Sequence, residues 1–325
     1  MSRLILIICI VVLQFSTLLA QQLPTYSQYT FNKFLLNPAM AGSEGYTSVS
    51  LIAREQWVGF KGTPKTHAIT AESRILRNSF IFKNLSIRRK RKMSSRSGRV
   101  GLGVHIFNDK NGPIDRTGFK GTYSYHIDLS EYRLSFGLSL MLFQFRLKSD
   151  ELIFSDDLND DLISGNKQSL YIPDSDFGVY IASKDFFGGI SIMQIMQSAI
   201  KFGNRYDSKY KLKRHYNFLG GYVYDLNENF TIEPSFLIKV SSPFRPQLDL
   251  STTVVYKLDY WGGISFRTGS ALAIFAGTKI NKYYIGYAFD YNFNSLMSHT
   301  IGSHELMFSV KFGDSARRYK WLNIY

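Results

Sequence analysis

Asp157, Asn159 and Asp161 stand at the first three ligand spacings of an EF-hand calcium loop, inside an acidic run that also holds Asp156 and Asp160. Such a loop needs a glycine at its sixth position for the sharp turn and a bidentate glutamate at its twelfth. Leu162 and Gln168 occupy those places, so the run reads as a solvated surface loop. Phosphate chemistry fares no better. Gly165-Asn166-Lys167-Gln168 lacks both the spacing and the hydroxyl of a P-loop. Gly101 and Gly103 begin a G-x-G whose third glycine is replaced by Ile106, and they read as close-packing positions of a strand. The six histidines form no H-E-x-x-H; His299 and His304 flank the end of a loop. There is no G-x-S-x-G elbow, and a Ser–His hydrolase would also need a third polar group facing the same way. The expectation is a chain with no catalytic residues, no cofactor and no metal site.

Charge says more. Lys and Arg number 39 against 25 Asp and Glu, for a net +14. Arg88, Arg89, Lys90, Arg91, Lys92, Arg96 and Arg99 place seven of those charges within twelve residues. In a cytosolic protein such a patch would invite nucleic acid. This chain opens instead with Arg3, an apolar run from Leu4 to Leu13 broken only by Cys9, and then Ala20-Gln21-Gln22. Residues 1–20 read as a secretory signal peptide cleaved after Ala20. Export removes nucleic acid as a partner and leaves anionic head groups or an acidic protein. Cys9 is the only cysteine, so the mature chain has no disulfide and no thiolate chemistry.

The elements that must position any site are strands. Phe, Tyr and Trp make up 15% of the chain. Apolar residues alternate with polar ones at Leu134–Leu142, Phe230–Val240, Leu248–Leu258, Tyr283–Tyr291 and His304–Phe312. A helical period would scatter those residues over opposite faces. The phase slips at Leu142–Phe143, which calls for a bulge or for exit from the apolar layer. No apolar run in the mature chain approaches the ~18 residues of a spanning helix. The strands are nevertheless long, about 9–12 residues, as a tilted strand crossing a bilayer requires. Aromatics gather at strand ends (Tyr132, Tyr256, Tyr260, Trp261, Tyr283, Tyr291, Phe312) like interfacial girdles. Short turns near 128–131, 184–185, 226–229, 258–259 and 280–282 alternate with longer loops near 109–116, 148–173, 195–213, 241–246 and 293–302.

The expected fold is therefore all-β: a transmembrane, antiparallel, up-and-down barrel of about 14 strands spanning residues 45–313, with a non-strand segment at 21–44 before it and a basic tail at 314–325. An even count returns both ends to the periplasm. It also puts the basic 77–97 connection and the tail, with Arg317, Arg318 and Lys320, on one side, as a periplasmic docking surface. Lys120, Asp128, Glu233, Asp249, Lys257, Arg267, Asp290, Glu305 and Lys311 fall on the polar, inward phase. Both signs are present. An open porin could line a channel with them, and a plugged barrel could pair them with an internal segment.

Residues 24–45 carry aromatics and Asn-Pro turn chemistry but no alternation. This stretch resembles the start of the PorP/SprF family, barrel proteins of the Bacteroidetes type IX secretion system. The resemblance rests on Ser27-Gln28-Tyr29, Phe31-Asn32, Asn37-Pro38-Ala39 and Ala41-Gly42, then on Arg54, Gln56-Trp57-Val58-Gly59-Phe60 and Gly62-Thr63-Pro64-Lys65-Thr66. It continues at Gly101-Leu102-Gly103, Asn108-Asp109-Lys110, Arg116-Thr117-Gly118, Arg133-Leu134-Ser135-Phe136-Gly137, Glu233-Pro234-Ser235, Gly286-Tyr287 with Asp290, and Gly302-Ser303-His304-Glu305. The basic stretch at 88–99 looks like an insertion relative to that pattern.

The resemblance implies a non-enzymatic outer-membrane barrel that supports export and surface attachment of large proteins bearing type-B C-terminal domains, gliding adhesins among them. It also implies a link to periplasmic secretion-ring components. The candidate partner-binding or plug residues are Tyr26, Ser27, Gln28, Tyr29, Phe31, Asn32, Asn37, Pro38, Trp57, Gly59 and Phe60. Arg88, Arg89, Lys90, Arg91, Lys92, Arg317 and Arg318 are candidates for periplasmic docking. Outer-membrane lipid is a further expected partner, and a porin or small-solute transporter is the alternative reading.

Overall fold

In a computed structural model, residues 24–45, 47–75, 99–129, 131–148, 169–198, 212–241, 245–269, 271–293 and 300–312 are described. They form one antiparallel sheet of fifteen segments: β1 Thr47–Glu55, β2 Lys65–Ile75, β3 Val100–Asn111, β4 Ile114–Asp128, β5 Arg133–Leu147, β6 Ser169–Ala182, β7 Phe186–Met193, β8 His215–Tyr222, β9 Tyr224–Asp225, β10 Phe230–Ser241, β11 Arg245–Tyr256, β12 Tyr260–Arg267, β13 Ala271–Ile280, β14 Tyr283–Asn292 and β15 Ser303–Phe312. The two-residue β9 continues β8 past Val223, since both pair with β10. The sheet thus has fourteen staves. Each pairs with the next, and β1 pairs with β15 from Thr47↔Phe312 to Glu55↔His304, which closes it. Closure leaves no unpaired edge, the condition for crossing a bilayer with strands.

Alternation sorts the side chains. Outward positions are apolar and exposed: Leu140 is 62% exposed, and Ile264 and Ile274 are each 56%. Inward positions around the sheet are small or polar and buried, among them Ser50, Thr70, Ser135, Ser139, Ser191, Ser251 and Ser265. An apolar outer band over a polar interior is the membrane barrel's pattern, the reverse of a soluble sandwich.

One mouth carries the short connections: 129–132, 183–185, 226–229, 257–259 and the two-residue turn Asn281–Lys282, with Asn281 at φ 57° as a tight hairpin requires. We call it the turn end; β2 ends and β3 begins there, and so do the start of β1 and the end of β15. The opposite mouth is the loop end. Its expected long loop at 109–116 is not one: β3 and β4 pair out to Asn111↔Ile114 around Gly112–Pro113. Polar side chains hold that extension, with Asn108 donating to Asp115 and Thr117 and Arg116 pairing with Asp109, so no apolar alternation marks it. β6 likewise begins at Ser169. The phase slip at Leu142–Phe143 involves no bulge, since β5 pairs without interruption with β6 through Leu142↔Pro173 and Phe143↔Ile172. Phe143 and Phe145 simply turn inward to pack with Ile172 and Leu212 near the loop end.

Candidate functional site

The interior is occupied by the chain itself. Residues 24–45 do not pair as a strand; they run through the barrel and are buried along most of their length. Two 3₁₀ turns, Lys33–Leu35 and Pro38–Met40, compact the segment. Asn37 caps the second turn by accepting from the Ala39 backbone N–H at 2.9 Å, with proline at the first helical position.

At the loop end the segment meets buried charge. The Ser27 backbone N–H donates to Glu305 at 2.8 Å and its hydroxyl to Asp290 at 2.7 Å. The Gln28 backbone N–H donates to the other Glu305 oxygen at 2.9 Å. Arg54 bridges the two carboxylates, at 2.6 Å to Asp290 and 3.1 Å to Glu305, and donates to the Ser27 hydroxyl at 2.9 Å. Arg267 adds a second cation, 3.1 Å from Asp249 and 3.5 Å from Asp290. These groups come from β1, β11, β12, β14 and β15, so one cluster ties the segment to five strands.

Halfway down, Tyr29 shares a hydrogen bond with Ser251 and Asn32 donates to Thr70. Lys33 pairs with Glu233 at 3.1 Å and lies 3.5 Å over the Phe187 ring. Phe31 packs against Trp261 with centroids 4.7 Å apart and the rings tilted by 35°. The Leu36 carbonyl accepts from Ser191 and Asn217, and Asn37 donates to the Val179 and Ile190 carbonyls. Towards the turn end, the Ala41 carbonyl accepts from Ser124 at 2.6 Å. Gly42 donates to Glu72, Arg74 and Arg133 both donate to the Ser43 carbonyl, and Glu44 pairs with Lys311 at 2.7 Å. The segment thus enters beside the loop-end cluster and leaves at the turn end, where it continues into β1.

The wall is shaped to receive it. At Gly101, Gly137, Gly178 and Gly286 an added Cβ would run into Ala41, the Pro38–Ala39 backbone, Asn37 and Gln28 respectively. At Gly103 it would come within 2.5 Å of Phe34. Interiors are close-packed, and such contacts leave no slack for a methyl group.

Of the residues singled out from sequence, Tyr26, Ser27, Gln28, Tyr29, Asn32, Asn37 and Pro38 are therefore together inside the barrel, with Phe31 partly buried beside them. Trp57, Gly59 and Phe60 are elsewhere, on the β1–β2 connection at the loop end. There Val58 exchanges backbone hydrogen bonds with Ile301 and Gly302, at 2.8 and 2.9 Å, and Phe60 is exposed. Lys257, assigned inward by alternation, is exposed on the β11–β12 turn at φ 50°. The positive φ at Lys257 and Leu258 breaks the strand's alternation there. Arg88, Arg89, Lys90, Arg91, Lys92, Arg317, Arg318 and the 156–161 run lie outside the described residues. Arg54, which carries the loop-end cluster, was visible in the sequence only as part of a motif. Among the described residues no group of three or more His, Cys, Asp or Glu is placed to hold a metal ion.

A family model described as "Type IX secretion system membrane protein PorP/SprF" matches residues 18–310. No curated protein matches the chain. Among solved structures, the Ralstonia pickettii toluene transporter TbuX aligns at 10% identity over 86% of this chain and 92% of its own, with a TM-score of 0.49. The Acinetobacter baumannii outer membrane protein Omp33 aligns at 9% identity over 83% and 100%, with a TM-score of 0.44. A Pseudomonas aeruginosa FadL homologue aligns at 9% identity over 89% and 94%, with a TM-score of 0.42.

Proposed function

Because this chain belongs to the PorP/SprF family of type IX secretion system membrane proteins, we propose that it is a non-enzymatic outer-membrane barrel with a sealed lumen, working through the protein partners bound at its two mouths. Residues 24–45 are the seal, and the loop end faces the cell surface, as long connections do in outer-membrane barrels. The surface partner is a large secreted protein with a type-B C-terminal domain, such as a gliding adhesin. It is held by the connections of the loop end, 148–168 and 194–214 among them. The turn end faces the periplasm, where the basic residues of the 76–98 connection and the tail meet components of the secretion ring.

The observation that carries this reading is the filled interior. A segment tied by hydrogen bonds and ion pairs to strands all round the barrel occupies the space that a porin keeps for solute. The barrel's contribution to secretion is then to bind, not to conduct. Purification from the native membrane in mild detergent, followed by mass spectrometry, tests the partners. Near-stoichiometric recovery of a type-B-domain protein or of ring components is expected; a lone barrel would contradict the reading.

A further inference from the structure

One strand pair of the barrel is unlike the rest. Every other stave pairs with the stave next to it in the chain, whereas the seam joins the first strand, β1, to the last, β15. Ser50 and Ser309, whose hydroxyls meet at 2.6 Å across the seam, are 259 positions apart. Closing so long a loop costs more chain entropy than forming a hairpin, and such non-local pairing is slow. Until the seam forms, β1 and β15 are open edges that can pair with other chains.

The N-terminal segment lies along the inner side of that seam and holds it at both ends. The inward pairs of the seam are Arg54↔Glu305, Ile52↔Met307, Ser50↔Ser309 and Ser48↔Lys311. At the loop end the Ser27 and Gln28 backbone N–H groups take the two oxygens of Glu305 at 2.8 and 2.9 Å, and Arg54 donates to the Ser27 hydroxyl at 2.9 Å. At the turn end Glu44 takes Lys311 at 2.7 Å. Between these points Thr30 and Phe31 line a narrow cleft with Met307 and Ser309. The segment runs directly into β1, so it ties the first strand to two charged side chains of the last. Lipid covers the outward side of any strand pair alike. What selects β15 as the neighbour of β1 is therefore on the inner side, where the segment is.

We propose that residues 24–45 have a second function as the template on which the barrel closes. Carried by β1, the segment captures Glu305 and Lys311 and sets β15 in register before the seam zips. The order follows from the packing. The segment bonds to strands all round the lumen, and wall glycines leave its backbone no slack. Passing it through a barrel already closed would break every one of those contacts; closing the wall around it breaks none. The role holds whether or not the sealed barrel docks partners.

Two cysteine pairs in a Cys9→Ser background read the order of events. Ser50→Cys/Ser309→Cys reports the seam. Thr122→Cys/Ser139→Cys reports the β4–β5 hairpin, where the native hydroxyls meet at 2.7 Å. Disulfide formation is followed as the urea-unfolded protein refolds into phosphatidylcholine vesicles under mild oxidant. Without residues 24–44 the hairpin pair should form at the wild-type rate and the seam pair about tenfold more slowly, the factor that one early hydrogen bond to a charged group supplies. In the full chain, Glu44→Ala should slow the seam severalfold. Lys33→Ala, which breaks the pair with Glu233 of β10 away from the seam, should leave its rate unchanged. Equal seam rates with and without the segment would overturn the template. So would equal slowing of both cysteine pairs, or slowing of the seam by Lys33→Ala as large as that by Glu44→Ala.

Discussion

Arg54 holds two carboxylates inside the barrel, and its loss is the severest single-residue test of the seal's anchor. Arg54→Ala would leave Asp290 and Glu305 buried and half-paired, and removing one partner of a buried ion pair costs about 3–5 kcal/mol. The variant should melt at a lower temperature on heat-modifiable gels, and residues near Ser27 should become open to protease. Lys65→Ala, at the exposed Lys65–Glu55 pair, is the control and should change stability by less than ~1 kcal/mol. Gly178→Val tests the socket from the other side, because its side chain would occupy the place of the Asn37 amide. It should unseat the segment while β5 to β7 stay paired, so protease should cut within residues 24–45 of a still-folded barrel. Protection equal to wild type would show that the segment is not held there. The sequence made these inward charges visible through alternation, but not their partners. Ser27 and Asp290 are 263 positions apart, and a period of two says which face a residue takes, not what it touches.

The elements divide by how they meet lipid. Where strands cross the apolar layer, the outward side chains must be hydrophobic, so the period-two signal is strong and fourteen strands are legible without coordinates. Above that layer both faces are polar, and the signal ends although the ladder does not; β3 and β4 therefore extend past the expected loop at 109–116. The N-terminal segment was legible as a non-strand element with buried character, and its position inside the barrel was not. The family motif groups Trp57 and Phe60 with it. The register instead carries them to the loop end, since a nine-residue strand separates them from the segment's exit. Many residues behind the family resemblance do converge on the segment: Arg54, Gly101, Gly103, Arg133, Gly137, Gly286, Asp290 and Glu305 all touch it or shape its socket. The β1–β2 connection, locked to residues 300–302, is then a separate rigid ledge. Phe60→Ala and Ile301→Ala together are expected to weaken capture of the surface partner without changing the melting temperature. Unchanged capture would remove the ledge from the binding surface.

At the scale of the whole molecule, the direction of threading fixes which parts of the chain reach which side. The segment passes from the loop end to the turn end, so Pro24 and Thr25 lie at the mouth that the proposed orientation turns outward. Cys9 is the only cysteine of the sequence, so a Cys9→Ser background makes single-thiol labelling clean. On intact cells, an impermeant maleimide should label Thr25→Cys and Lys61→Cys, and should label Glu228→Cys only after permeabilisation. Labelling of Lys61→Cys without Thr25→Cys would contradict the threading alone, whereas labelling of Glu228→Cys on intact cells would invert the barrel. The seal is tested most directly by current across a planar bilayer, comparing the intact protein with a variant that lacks residues 24–40 and keeps the barrel strands. The expected result is no step currents from the intact protein and discrete, ohmic steps from the deletion variant. Step currents of similar size from both would mean that the lumen conducts with the segment in place, and the sealed docking barrel would be wrong.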